Sequence, residues 1–274
     1  MEDNFTIGII GGAGKMGRLF KSFFEKRGFP VVISDKKTGL RYEELLEVSK
    51  VIILSLPMEI FPEVVETIAP RIKEDHWIMD ICSLKLEPAK VMKRNLKRGE
   101  LLATHPLFGP FERDLRGKIV ALYPLRGRNF HNWLRKILTE EGLKVVKIPP
   151  KKHDEIMGLV QVLNHFWLLL LGKVLHDSKL PLKEVISLST PSFLGQLQIL
   201  KRLALQDEKL YARIQLENPF GNKFRKLLCQ NCQKLARKLS QRDNFSYETF
   251  YEAFNVAQRI AKEVESLIPA EIKD

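Results

Sequence analysis

The apolar run from Thr6 to Ile10 stops at Gly11-Gly12-Ala13-Gly14-Lys15-Met16-Gly17, and a helical period begins at once. Between Lys15 and Lys26, the residues Met16, Leu19, Phe20, Phe23 and Phe24 fall on one face. A strand that turns this quickly into a helix opens a β-α-β unit, and few folds can follow from it. Gly12 permits the tight turn, Gly14 lets the backbone approach a pyrophosphate, and Gly17 lets the helix pack on the strand. The helix N-terminus offers free N–H groups and a positive partial charge to phosphates. Asp35 follows the second apolar run, Val31 to Ser34, at the distance expected of a carboxylate that accepts from ribose hydroxyls. An anion there repels a 2′-phosphate, so NAD is expected before NADP, although Lys36 and Lys37 follow. Lys15 and Met16 in the turn, and Ser55 at the end of the third apolar run, are assigned to the same dinucleotide.

The alternation of short apolar runs with helical periods continues as far as Pro149-Pro150-Lys151-Lys152. It predicts an α/β fold with a Rossmann-like, doubly wound parallel sheet. Beyond that break the periods are all helical. We therefore expect a dinucleotide-binding domain over 1–150 and an all-helical domain for substrate binding and dimerisation over 151–274. The first helix of the second part is apolar all round at Trp167 to Leu171, which predicts burial on every side, in a dimer interface or at the centre of one bundle. The longest membrane candidate, Phe166 to Leu171, is flanked by Asn164, His165 and Lys173, so no spanning segment is expected. No signal peptide is read at the N-terminus, and three cysteines form no secreted disulfide framework, so a cytoplasmic setting is expected. Cys229 and Cys232 are a lone pair without a nearby histidine, and no metal is expected. The net charge of +12 is spread along the chain and mixed with Glu, which argues for a solvated surface and against nucleic acid.

Two further turns carry chemistry. Ser83 and Lys85 follow the fourth apolar run, and His105, in Thr104-His105-Pro106-Leu107-Phe108-Gly109-Pro110, follows the fifth. Adjacent parallel strands end about 4.8 Å apart, so Ser83 and His105 can meet where ligands of such sheets bind. A neutral imidazole accepts the proton of an alcohol as a hydride leaves its carbon. An ordinary imidazole would make activity rise with pH through about 6.5. In the helical part, Arg202 can grip a carboxylate with two hydrogen bonds. A lone His such as His165 on an apolar helix is more often a core residue than a ligand, and His153-Asp154 reads equally well as the N-terminal cap of its own helix.

These segments resemble the prephenate dehydrogenase (TyrA) family, closest to the dehydrogenase part of the bifunctional chorismate mutase/prephenate dehydrogenases. The likeness runs through the glycine turn, Ser83-Leu84-Lys85, His105 to Pro110, His153-Asp154, Gln161 with His165-Phe166, Leu188 to Pro191, and Arg202 to Asp207. It implies NAD-dependent oxidative decarboxylation of prephenate to 4-hydroxyphenylpyruvate in tyrosine biosynthesis. It further implies that His105 bonds the ring hydroxyl, Ser83 orients His105 and the nicotinamide, Arg202 binds a carboxylate, and Lys85 and His165 line the site. A homodimer through the helical part is also implied. No mutase portion precedes the glycine turn, so a monofunctional chain is expected. Phe111 stands where many relatives have an acidic residue, with Glu112 next, and Leu194 where a bifunctional relative has arginine. Arogenate as substrate, or a non-catalytic NAD sensor on the same fold, are the alternatives.

Overall fold

The computed structural model describes residues 5–268. Seven strands form one sheet: β1 (Thr6–Ile10), β2 (Val31–Ser34), β3 (Ser49–Leu54), β4 (Trp77–Asp80), β5 (Glu100–Pro106), β6 (Ile119–Arg126) and β7 (Lys144–Lys147). Their order is β2-β1-β3-β4-β5-β6-β7. The order reverses at β1, so the carboxyl ends of β1 and β3 form the switch point where such sheets bind ligands. Helices α1 (Lys15–Lys26) and α5 (Asn129–Glu140) cover one face; α2 (Tyr42–Val48), α3 (Phe61–Ile68) and α4 (Leu86–Asn95) cover the other. The alternation of strand side chains explains why both cores fill from the same strands. Ile7, Ile9, Val51 and Ile53 meet Phe20 and Phe24 on one side, while Ile10, Ile52 and Leu54 meet Leu45, Phe61 and Val65 on the other. Burial on both faces is what makes these strands near-continuous apolar runs. Each such side chain contributes about 1.5–3 kcal/mol by leaving water.

Two details differ from the sequence reading. The sheet is parallel from β2 to β5, but β6 runs antiparallel to β5, and β7 is parallel to β6. Parallel pairing needs a crossover, usually helical, and the link at 107–118 contains no helix. In addition, β5 continues through Thr104, His105 and Pro106, because His105 pairs with Ala121 and Pro106 with Val120 of β6. His105 is therefore a strand residue rather than a loop residue.

After β7 a continuous helix runs from Pro150 to Asp177. It comprises α6 (Pro150–Met157), a π-helical turn at Gly158–Leu163 and α7 (Asn164–Asp177). Then come α8 (Leu182–Ser187), α9 (Pro191–Ala204) and α10 (Glu208–Glu217). Thr190 caps α9, with Pro191 in its first turn, and the Asp207 carboxylate accepts from Lys209 N and Leu210 N to cap α10. These helices belong to the same compact unit as the sheet, through Phe220. A second unit from Gly221 holds α11 (Gly221–Leu239) packed on α12 (Asn244–Leu267), whose start is capped by Asp243 and Ser246.

The long helix corrects two expectations. By length and hydropathy, Pro150–Asp177 is long and apolar enough to cross a bilayer, contrary to the reading from Phe166 to Leu171 alone. Its first half nevertheless carries buried His153 and Asp154, hydrogen-bonded to β5 and to the start of α4, so it is built into the sheet unit. Nor is α7 buried on every side. Only Leu168 is buried, while Trp167, Leu169, Leu170 and Val174 are exposed, because one face of the helix packs inward and the other has no cover among the described residues.

Candidate functional site

Gly11 has φ +80°, a conformation L side chains rarely adopt, and a Cβ on it would strike the Ser55 carbonyl oxygen. Ser55 N donates to Ile10 O at 2.9 Å, so the ends of β1 and β3 are pinched together. A Cβ on Gly17 would lie 2.6 Å from Gly11 O and 2.7 Å from Gly12 Cα, so α1 can close on the turn only with glycine there. Gly14, by contrast, would meet only Gly11 O, at 3.2 Å, and its outer side is open. No side chain caps α1 and no acidic residue lies in its first turn. Its leading N–H groups are thus open to an anion. Asp35, half-buried, follows β2 and orders its own turn by accepting from Lys37 N at 3.3 Å. Lys15 is exposed, with its ammonium 5.2 Å from the centre of the Phe111 ring. Met16 packs partly into the core beneath the turn. These features fit the pyrophosphate and ribose of a dinucleotide.

A second polar group lies at the ends of β4 and β5. Asp80 closes β4 and is fully buried. Its carboxylate accepts from Cys82 N at 3.0 Å and pairs with the Lys85 ammonium, which also donates to Thr104 O at 2.5 Å. The Thr104 hydroxyl donates to Asp80 O. Lys85 is only 3% exposed, so its charge is held inside the rim instead of projecting into an open pocket. One residue further along β5, His105 is also 3% exposed. Its Nδ1 lies 2.9 Å from Nε2 of His153 in α6, and His153 Nδ1 lies 2.7 Å from Asp154 Oδ1. Burial first, then the proximity of His153 and Lys85, hold His105 well below the usual imidazole range. It is thus uncharged at neutral pH. The β4–β5 register sets Asp80 beside Ala103, so half-buried Ser83, three residues on, and His105, two residues on, leave neighbouring strand ends. Among the described residues no hydrogen bond joins them.

The helical wall is looser. The Arg202 guanidinium, near the end of α9, is 70% exposed and meets Glu112 Oε1 at 3.2 Å; Glu112 Oε2 pairs with Lys118 at 3.0 Å. Arg202 is thereby tied to the segment that leaves β5. His165, in α7, lies against Tyr211 of α10 with ring centres 4.5 Å apart and the rings tilted by 39°. Burial lowers its pKa to about 4. Burial also raises the Tyr211 phenol, and the charge of Arg202 opposes that rise. His165 Nδ1 and Gln161 Oε1, flanking the end of the π-helical turn, are buried with no hydrogen-bond partner among the described residues. Such turns are common at functional sites.

The structure thus gathers Lys85 and His105 in one cluster, and His165 with Tyr211 near Arg202 in another. Sequence reasoning missed Asp80, although a carboxylate closing an apolar strand was a visible signal. It placed Asp154 at the cap of its own helix. Instead α6 begins at Pro150, and the Asp154 carboxylate caps α4, accepting from Lys85 N and Leu86 N, each at 2.8 Å. No local pattern shows a cap delivered from 68 residues away.

Comparison with known proteins places the chain in a family. Residues 26–147 match the nucleotide-binding domain of prephenate dehydrogenase, and residues 149–256 match the prephenate dehydrogenase dimerization domain. The glycine turn precedes the matched stretch and rests on its own geometry. The chain is 31% identical over 258 residues to the "Probable arogenate/prephenate dehydrogenase" of Methanocaldococcus jannaschii, covering 88% of this chain and 58% of that protein. It is 29% identical over 247 residues to the "T-protein" of Enterobacter agglomerans, covering 90% and 65%. It therefore spans about three fifths of the length of these curated relatives. In fold it is similar to the crystal structure of prephenate dehydrogenase from Aquifex aeolicus in complex with hydroxyphenyl propionate and NAD+, with a TM-score of 0.72, 20% identity, and coverage of 93% of this chain and 98% of that one. The two domain matches lie end to end over β2 to β7 and the helices as far as residue 256, and the chain belongs to the prephenate dehydrogenase family.

Proposed function

We propose that this chain catalyses the NAD-dependent oxidative decarboxylation of prephenate to 4-hydroxyphenylpyruvate, a step toward tyrosine. The observation that carries the reading is His105, an imidazole kept uncharged by burial at the carboxyl rim of the sheet that bears the glycine turn. Gly12, Gly14, Gly17 and the start of α1 would hold the pyrophosphate of NAD, with Lys15, Met16 and Ser55 around it, and Asp35 would accept from the adenosine ribose. The same carboxylate disfavours the 2′-phosphate of NADP. When bound, the cofactor supplies the hydride acceptor. His105 takes the proton of the ring hydroxyl as that carbon is oxidised. Ser83 orients the imidazole. The new carbonyl draws the electron pair of the ring–carboxylate bond into the ring, CO₂ leaves, and the ring becomes aromatic. Arg202 anchors a substrate carboxylate and His165 lines the same side. Lys85 acts through its charge, which opposes protonation of His105 before the reaction.

Arogenate is the second reading, favoured by the name of the Methanocaldococcus relative. Its amine would need a carboxylate, and Glu112 stands beside Arg202. Both Glu112 oxygens are already engaged, by Arg202 and Lys118, which favours the keto acid. We further propose that residues 1–150 bind the dinucleotide, and that 151–274 complete the substrate side and form a homodimer over the exposed face of α7. The solution mass checks the dimer. The decisive assay follows nicotinamide absorbance with prephenate or arogenate, in NAD or NADP. Fastest turnover of prephenate with NAD is expected. Tight NAD binding without turnover of either substrate would replace the enzyme by a sensor.

A further inference from the structure

His153 and Asp154 are each 1% exposed, and the chemistry above uses neither. Their partners determine where protons can sit. Asp154 Oδ1 faces two groups, Lys85 N at 2.8 Å and His153 Nδ1 at 2.7 Å, and Oδ2 faces Leu86 N at 2.8 Å. The two backbone groups are the leading N–H donors of α4, whose positive end favours an anion. A carboxylate held in this way only accepts. His153 Nδ1 must then carry a proton. In the neutral ring its Nε2 is left as a lone pair, and that lone pair faces His105 Nδ1 at 2.9 Å. The contact is a hydrogen bond only if His105 Nδ1 carries the proton. The remaining nitrogen, His105 Nε2, is then the acceptor. With His153 uncharged, the assignment follows from the network, one group after another.

We propose that Asp154, acting through His153, sets the tautomer of His105 and so makes its Nε2 the proton acceptor of the reaction. This rests on the reading of His105 as that acceptor. An imidazole in water prefers its proton on Nε2, the reverse of what the site needs. With the proton on Nε2 the ring would donate to the substrate hydroxyl, and the alcohol could not lose its proton to it. The same chain serves the next moment of the reaction. As His105 gains a proton, its Nδ1–H still donates to His153, and the Asp154 carboxylate lies behind the new charge. Placement is rigid at both ends: His153 N donates to Pro149 O at 2.9 Å, and Asn218 Nδ2 donates to Asp154 O at 2.9 Å. The charged and titratable groups gathered with His105 are His153 and Asp154 from α6, Lys85 before α4, and Asp80 from β4. Lys85 and Asp80 pair with each other, so Asp154 is the carboxylate that reaches His105 through His153. His153 and Asp154 are thus positioning residues for His105.

The test is the tautomer itself. Long-range ¹H–¹⁵N spectra of the full chain, labelled at its six histidines and recorded without substrate, assign each ring, with His105→Gln and His153→Gln identifying the two signals. Both histidines are expected in the Nδ1–H form. An Nε2–H signal from His105 overturns the proposal. In Asp154→Leu nothing is left to accept from His153 Nδ1. His153 can then carry its proton on Nε2 and donate to His105 Nδ1, so the His105 signal should move to the Nε2–H form. With prephenate, kcat should fall roughly 10–10³-fold, while KM for prephenate and NAD stays within about threefold. A folded Asp154→Leu with full kcat, or one that loses activity while the His105 tautomer stays put, overturns it. If that variant does not fold, the wild-type spectrum decides. An Nδ1–H signal in a protein that turns over neither prephenate nor arogenate leaves the tautomer control standing and removes the proposed function.

Discussion

At the ends of β4 and β5, Asp80, Lys85, Thr104, His105, His153 and Asp154 are each exposed by 3% or less, and they bond to one another. On the helical wall, Arg202 is 70% exposed and meets one carboxylate at 3.2 Å. The two groups answer different physical demands. A proton moves only along a well-aligned hydrogen bond, so the acceptor must be fixed in angle, tautomer and charge. Its neighbours must then be satisfied as well, since a buried polar group without a partner costs about 1–3 kcal/mol. An anchor for an anion works by charge over a wider range of angles, and water can cover it until the anion arrives. Rigidity sits where bonds change, and looseness where the substrate enters.

The largest effect should come from the rigid side. His105→Asn removes the acceptor but keeps a polar side chain of similar reach. Its kcat should fall roughly 10²–10⁴-fold with KM for both substrates little changed. Steady-state rates at saturating prephenate and NAD check this. An unchanged kcat would remove His105 from the chemistry and leave the buried cluster a purely structural device.

Much of this contrast was legible in the sequence, and the illegible part has a physical cause. Local patterns carried the strands, the glycine turn and Asp35, because chain neighbours settle them: Gly11 to Gly17 must turn, and Val31 to Ser34 must be a strand with a polar end. The positions of Ser83 and His105 at adjacent strand ends followed from parallel order. The antiparallel turn at β6 did not, since apolar runs look alike in either direction. Asp154 was misplaced because the groups it caps belong to another element, and the burial of Lys85 was missed because its partner, Asp80, pairs with it only after folding. The exposed apolar face of α7 was misread because a helix that is apolar all round does not say whether its cover lies in the same chain. Pairings between elements set the protonation states, and a single sequence does not print pairings.

On the loose side, Arg202→Gln should raise KM for prephenate about 10–100-fold and leave kcat within about threefold. A charge-assisted hydrogen bond contributes about 1.5–3 kcal/mol, and an anchor acts on ground and transition states alike. KM measured at fixed saturating NAD is the check. A fall in kcat equal to the change in kcat/KM would mean that Arg202 works in the transition state, and the division between a rigid and a loose side would fail.

The smallest effect is a near absence of change, and it sharpens the comparison most. His105 works as a base only when neutral, so activity must decline once the pH falls through its pKa. Burial, His153 and Lys85 all push that pKa down, well below the ordinary value near 6.5. The declining limb therefore moves to the acid side, and kcat should vary by less than about twofold between pH 6 and 8. His165, lowered to about 4 by burial, stays neutral over the same interval and adds no limb. A rising limb centred near pH 6.5 in wild-type kcat would show that water reaches His105 as freely as it reaches Arg202, and the two sides of the site would no longer differ in kind.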